Sequence, residues 1–346
     1  MPELIAAASD LLACPPPSTS PSSPPAAAPL PPDLLDVRQM TRVLRPALAA
    51  RTGDTHPVEV ETAVELEAAH GGRSVVGYTV RGLDGPRSTY LVAKRFDEQR
   101  RARLLHDHLD LLGSGPFASG RLRVPAVVAF LPAIGTVVYR RGEGTPLHQS
   151  PSAEDITSGA RLAAQWLARL HTSGVRLPRT LSLDQEERST REWAALIAER
   201  HPVLGGRAHL LADAWAAGAR AARPVPAVPI HKDLHPGHVL VGDDVYVIDL
   251  DEARNGDPTF DVAHFLSYLH LMSPDATGAA AAFVEEYADA TGWTDPGTYR
   301  SFRAYAWLKI AKQCALGTGP CRAVPADRRL VEAARALAEG ERCLTG

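Results

Sequence analysis

Between His231 and Asp251 the chain concentrates His231, Asp233, His235, His238, Asp249 and Asp251. Their surroundings are apolar: HVLV (238–241) and VYVID (245–249) have strand character, and GDD (242–244) between them is a turn. Ionisable groups beside buried strands must be ion-paired, metal-bound or catalytic, because an unpaired charge out of water is costly. If the two runs form a hairpin, the loop before the first strand lies beside the end of the second. Asp233 then approaches Asp249, with His238 at the strand start between them. Two carboxylates and a third ligand about a hard cation suit phosphoryl transfer. One carboxylate takes the proton of an attacking hydroxyl, and the other holds Mg²⁺ on nucleotide phosphates. The same cluster suits a metal-dependent hydrolase with His231, Asp233, His235 and His238 as ligands, and these residues alone leave both readings open.

Lysine usage is a second signal. Of the 37 basic residues only Lys94, Lys232, Lys309 and Lys312 are lysine. In so Arg-biased a chain, a retained lysine suggests a site that needs a compact ammonium.

The elements that must position these groups fall into two parts. VEVETAVELEA, SVVGYTVRG and STYLVAKRF (within 58–96) read as three antiparallel strands joined by the turns HGGR and LDGPR. A charged amphipathic helix follows at about 97–112, then a strand pair, RVPAVVAF and IGTVVYRR, ending at GEGTPL. A helix interrupted by Pro46 precedes them at 34–50. Beyond Pro151 helices are predicted at 152–172, 183–200, 205–222, 276–291, 297–315 and 325–343, the hairpin being embedded among them. The expected organisation is α+β: a tail over 1–33, a β-rich lobe over 34–141 and a helical lobe over 142–346. Nine prolines in the eighteen residues 15–32 make part of that tail extended, since proline fixes φ and removes backbone donors.

Composition narrows the partners. The 346 residues are 45% hydrophobic and 22% charged with a net charge of −3, so no basic field exists for nucleic acid and no polybasic run for an anionic membrane. No apolar stretch approaches the ~20 residues of a membrane span. Glu3 and Asp10 interrupt the apolar N-terminus, which lacks the basic start of a signal peptide. Cys14, Cys314, Cys321 and Cys343 lack paired metal-binding or disulfide spacing. The expectation is a reduced, cytoplasmic protein.

HKDLHPGHVLV, VIDLDEA and GDPTFDVAHF together resemble the catalytic segment of the aminoglycoside phosphotransferase and choline kinase-like small-molecule kinases. QWLARLH (165–171) is similar to that family's L-A-x-L-H helix, VVYRRGEGTPL (137–147) to its hinge, and YLVAKRF to the strand carrying its phosphate-binding lysine. The motifs run in order over roughly 58–270. The resemblance implies a bilobal protein kinase-like fold and transfer of the γ-phosphoryl of ATP or GTP to a small-molecule hydroxyl. It implies Asp233 as catalytic base, Asp249 as metal ligand and Lys94 on the nucleotide phosphates. The backbone from Tyr139 to Arg141 would meet the purine edge, and the HGGRS loop, with Gly71, Gly72 and Ser74, would cover the phosphates.

Three departures stand out. His238 occupies the position of the family's metal-binding Asn, whereas Mg²⁺ prefers oxygen ligands. The metal is then held by Asp249, with Asp251 in support, or is Mn²⁺, or the chain is a pseudokinase that binds nucleotide or metabolite. Lys232 replaces a small residue and would place a cation beside Asp233, favouring its ionised form and neutralising the transferred phosphoryl, unless it points to solvent. The family's Glu partner for Lys94 is missing from the helix at 97–112, leaving Asp107 as the expected substitute. Asp251 is either a second metal contact or a solvent-facing carboxylate. His231 is expected to pack under the catalytic loop, Asp261 to anchor that loop's amides, and Asp257 to cap a turn. Glu285, Glu286 and Asp289 are expected to form a solvated helix face.

Overall fold

Alternating side chains from Glu59 onward build the first layer. In the computed structural model, which describes residues 33–345 apart from 53–57, 71, 85–86 and 296, helix α1 (Val37–Thr52) precedes β1 (Glu59–His70), β2 (Arg73–Arg81) and β3 (Thr89–Phe96). Helix α2 (Gln99–Ser114) then leads to β4 (Leu122–Arg123), β5 (Val127–Leu131) and β6 (Thr136–Arg140). The main sheet is antiparallel with order β1-β2-β3-β6-β5. One face, with Val76, Tyr78, Val80 and Leu91, packs on Met40, Leu44 and Leu48 of α1, which runs through Pro46. The opposite face of β3 carries Val92 and Lys94, because successive side chains alternate across a strand. The proline-rich segment lies outside the described residues.

The second lobe begins with β7 (Thr145–Pro146) and helices α3 (Ala153–Thr172), α4 (Leu183–Arg200) and α5 (Pro202–Ala221). The Ser152 side chain caps α3 by accepting from the Asp155 amide at 3.0 Å. Then come β8 (Val228–Ile230), the hairpin β9 (Val239–Val241) and β10 (Val245–Val247), and β11 (Arg254–Gly256). Helices α6 (Thr259–Met272), α7 (Thr277–Thr291), α8 (Tyr299–Leu316) and α9 (Arg329–Thr345) complete the chain. Among the described residues no helix is long and apolar enough to cross a membrane.

Helix α6 is absent from the sequence-based expectation, and its burial explains why. Every residue from Thr259 to Leu269 is buried, so the segment has no polar face and shows no amphipathic period. The lobes share one apolar core: Phe96, Leu105 and Leu109 of the first pack in the same cluster as Val247, Leu250, Trp166 and Phe265 of the second. Buried His108 on α2 adds a 3.1 Å hydrogen bond to the Leu250 carbonyl, tying the helix to the turn that carries Asp249 and Asp251.

Candidate active site

The β9–β10 hairpin forms as its apolar runs require, with Val239 opposite Val247, and the Ile248 amide donates to the His238 carbonyl at 3.0 Å. Asp249 therefore emerges beside His238. Asp249 (φ 67°) and Lys232 (φ 69°) are the two non-glycine residues with left-handed backbone among those described. Such conformations cost on the order of 1–3 kcal/mol each and persist only where neighbours over-determine them. For Lys232 the neighbour is Asp261, fully buried, whose carboxylate accepts from the His231 amide at 2.6 Å and the Lys232 amide at 2.8 Å. His171 on α3 approaches the same carboxylate at 3.2 Å. Burial alone would raise the Asp261 carboxyl, but His171 and then His231 with its amide outweigh it and hold it below the usual carboxylate range. Asp261 thus anchors the loop before Asp233, and Asp257 accepts from the Thr259 amide at 2.8 Å, as the sequence leads one to expect.

Lys94 is 4% exposed and its ammonium lies 2.6 Å from Asp249 Oδ1 and 2.6 Å from Asp251 Oδ2. These are its acidic partners. The expected Asp107 is on the surface, hydrogen-bonded by its neighbour His106, so α2 contributes no counter-charge. Asp251 is buried rather than solvent-facing, with Arg73 of β2 3.6 Å away. Burial and the adjacent Asp249 charge push the Asp251 carboxyl up to about 7. Asp249 is held far below its ordinary value, the Lys94 ammonium overcoming burial.

Asp233 is met by a cation that sequence reasoning missed. Lys309 of α8 donates to Asp233 Oδ1 at 2.5 Å, whereas Lys232 turns to Glu186 of α4 at 3.0 Å. Lys232 is therefore neither the cation on Asp233 nor solvent-facing. Buried Glu186 also accepts from Tyr305 at 2.5 Å and stands 3.6 Å from Arg254. His264 donates from Nδ1 to the Leu234 carbonyl at 2.8 Å, which leaves the Nε2 lone pair facing Lys309 Nζ at 3.4 Å. Burial and then the Lys309 charge bring the His264 imidazole down to about 3, so it is a neutral positioning group. The only sequence signal for this set was that Lys309 is one of four retained lysines.

The histidines divide by their hydrogen bonds. His231 spends both ring nitrogens on the backbone, Nε2 donating to the Ile248 carbonyl at 3.0 Å and Nδ1 accepting from the Asp233 amide at 3.3 Å. His235 Nδ1 accepts from the Gly237 amide at 3.0 Å, and its ring packs 3.6 Å from that of His238. The hydrolase ligand set is therefore not assembled. His238 donates from Nδ1 to the Asp233 carbonyl at 2.9 Å, which leaves Nε2 unprotonated and 3.5 Å from Asp249 Oδ2. Both Asp251 oxygens are buried without an aligned hydrogen-bond donor. No three acidic, His or Cys side chains among the described residues form a ready cage. Asp249 Oδ2, 3.5 Å from the free His238 nitrogen, and the donor-free Asp251 Oδ1 nevertheless fit a divalent cation that also takes ligands from a phosphate.

A cavity of about 340 Å³ opens between the lobes, walled by Val75 and Val92 above and Leu240 and Ile248 below, with Lys94 and Asp249 at one end. Tyr139 and Arg141 line it, while the amides of Arg140 and Arg141 donate to the Ala126 and Tyr90 carbonyls at 2.8 and 3.1 Å. Gly72 takes φ 73° in the β1–β2 turn, where a Cβ would crowd Asp97 Oδ2 at 3.2 Å. Gly71 lies outside the described residues. Ser74 stands in β2 opposite Arg95, on the face away from the cavity-lining Val75, so its side chain departs from the expected phosphate contact.

Residues 65–305 match the sequence model of the phosphotransferase enzyme family, more than half of the chain. The chain belongs to that family. No curated protein matches the phosphotransferase by sequence. Among solved structures it is similar to the choline kinase LicA from Streptococcus pneumoniae, at 17% identity and TM-score 0.58 over 87% of this chain and 99% of that one. It is also similar to the macrolide 2'-phosphotransferase MphH from Brachybacterium faecium, at 23% identity and TM-score 0.51 over 86% and 98%. A third similar structure is a thermostable mutant of the aminoglycoside phosphotransferase APH(4)-Ia in ternary complex with ADP and hygromycin B, at 16% identity and TM-score 0.53 over 87% and 97%. These likenesses carry the fold: this phosphotransferase is a bilobal, protein kinase-like member of a family of small-molecule kinases. Lys94, Asp233, Asp249 and Asp261 lie inside the matched residues; Lys309 lies beyond them.

Proposed function

We propose that the chain moves the γ-phosphoryl of ATP or GTP to a hydroxyl of a small molecule. The observation that carries this reading is the meeting of Lys94 and Asp249 at one end of the interlobe cavity, with buried Asp251 on the same ammonium and the part-exposed Asp233 carboxylate in the same loop system. The apolar walls would sandwich a purine, and Lys94 would exchange its carboxylates for α- and β-phosphate oxygens. Asp249, His238 Nε2 and Asp251 would hold Mg²⁺ or Mn²⁺, which when bound neutralises charge on the phosphates. Groups of the 139–141 segment other than the Arg140 and Arg141 amides would serve the purine edge.

Asp233 would accept the acceptor's hydroxyl proton as the new P–O bond forms and the bond to the β–γ bridging oxygen breaks. Burial works against its ionisation, but the Lys309 ammonium keeps the carboxyl well below its usual value, so it is a weak base. A loose phosphoryl-transfer transition state makes little demand on a base, and the carboxylate's main task is then to orient the hydroxyl. Lys309, freed from Asp233 as the hydroxyl arrives, would face the transferred phosphoryl.

A second reading is a pseudokinase that binds nucleotide without turnover. Two observations favour it: His238 in the asparagine position, and a Lys94 neutralised by both carboxylates. ADP release and nucleotide-induced thermal shifts in the protein and its Asp233→Asn variant separate the two. Turnover that collapses while the shift survives supports the kinase. A shift without turnover in either protein supports the pseudokinase, and full turnover of Asp233→Asn overturns the mechanism.

A further inference from the structure

Helices α4 and α8 present facing rows of groups beside Asp233. On α8, Tyr305, Lys309 and Lys312 recur at i, i+4 and i+7 and so share one face. On α4, Glu186 and Trp193 share a face at i and i+7. Tyr305 donates to Glu186, Lys309 to Asp233, and Lys312 holds its ammonium 5.6 Å from the centre of the Trp193 ring.

The charges here do not cancel. Asp233 takes Lys309, Glu186 takes Lys232, and Glu252 takes Arg254. No carboxylate among the described residues lies within ion-pair distance of Lys312, whose only close polar-type contact is the aromatic face. Burial and the neighbouring Lys309 hold its ammonium below the ordinary lysine value, the condition of a cation short of an anion. The acidic residues that could otherwise have received a polycation, Glu285 and Glu286 of α7, are engaged by Arg161 at 2.9 Å and Gln165 at 2.8 Å. Lys309 and Lys312 both fall past residue 305, where the family match ends.

Resting on the phosphotransfer reading, we infer that the acceptor carries an anionic group, a carboxylate or a phosphate, which Lys312 receives over Trp193 with Lys309 beside it. The remaining hydroxyl of such a molecule would reach Asp233. A polycationic acceptor would instead meet Lys312, the cation of this group with no carboxylate to balance it, and the like charges oppose binding.

The test compares four compounds sharing a six-carbon polyhydroxy skeleton: gluconate, glucose 6-phosphate, glucose and glucosamine. Dissociation constants are measured by tryptophan fluorescence on the ADP-bound protein at fixed ionic strength. At least one of the two anions should bind tenfold or more tighter than glucose, and glucosamine should bind weakest. Whether gluconate or glucose 6-phosphate leads distinguishes a carboxylate from a phosphate group. Lys312→Met, which keeps an unbranched side chain against Trp193, should abolish the preference, and Lys312→Glu should reverse it towards glucosamine. A preference for glucosamine in the unmodified protein, no discrimination by charge, or an anion preference intact in Lys312→Met would each overturn the inference. Nucleotide binding is scored separately by the ADP-induced thermal shift in Lys94→Ala. Failure there with the anion preference retained removes the phosphotransfer reading alone.

Discussion

Lys309 and Asp233 are 76 residues apart and meet at 2.5 Å, so the carboxylate proposed to receive the acceptor's hydroxyl is already matched to an ammonium from α8. The pair is part-exposed, with side-chain exposures of 17% and 28%, so an incoming hydroxyl can insert between them. Positioned acid–base and electrostatic groups of this kind contribute about 10²-fold or more to rate. Lys309→Met should therefore lower kcat by about that factor while leaving the ADP-induced thermal shift unchanged, because the nucleotide cavity is lined by other residues. An unaltered kcat would show that the pair is only structural.

As a proposed metal ligand, His238 would set the metal preference. Its Nδ1–H is committed to the Asp233 carbonyl, so the group facing Asp249 is an imidazole nitrogen rather than an amide oxygen. Imidazole suits transition metals better than Mg²⁺. Nucleotide affinity measured by thermal shift should be higher with Mn²⁺ than with Mg²⁺, and His238→Asn should bring the two together. At ~100 Kd the nucleotide stabilises by about 2.7 kcal/mol, a readable shift. Equal affinities with both metals before substitution would exclude the nitrogen from the metal's ligands.

How far these features were legible in the sequence depended on how local they are. The hairpin, the anchoring of the loop by Asp261 and the neighbourhood of Asp233, Asp249 and His238 follow from motifs within 31 residues, where strand period and turn chemistry fix the geometry. The partners of Lys94 lie beyond the reach of a local motif on α2: the counter-charge comes from Asp249 and Asp251, more than 150 residues on. Lys309 and Glu186 have no local motif at all, since each reaches the site only through helix packing. Helix α6 was invisible for the opposite reason: complete burial erased the amphipathic contrast that periodicity reads. Ser74 shows how a one-residue offset in a strand reverses the face a side chain takes.

Asp261 should be the most sensitive carboxylate to truncate. It is fully buried, satisfies two amides of the catalytic loop and faces His171. Removing one partner of a buried charged network costs about 3–5 kcal/mol, because the remaining donors stay buried and unpaired. Asp261→Ala should lose about that much in urea unfolding at unchanged m. A loss below about 1 kcal/mol would mean that the left-handed backbone at Lys232 is held by something else.

His264 predicts how stability responds to acid. Its imidazole stays neutral in the folded protein until about pH 3, because burial and Lys309 disfavour a second cation beside it. In the unfolded chain it protonates near its ordinary value of 6.5. The unfolded state therefore binds the extra proton first, and stability present above pH ~6.5 is lost as pH falls from there towards 3, at up to about 1.4 kcal/mol per pH unit for this one group. His264→Asn, which cannot titrate, should be less stable at pH 8 because it alters the hydrogen bond to Leu234 and the contact with Lys309. It should also lose less stability between pH 7 and 5 than the unmodified protein does. Denaturant midpoints of the two proteins at pH 8, 7, 6 and 5 decide the matter: parallel curves would mean that His264 accepts a proton in the folded state as readily as in the unfolded one, and the neutral imidazole facing Lys309 would have to be abandoned.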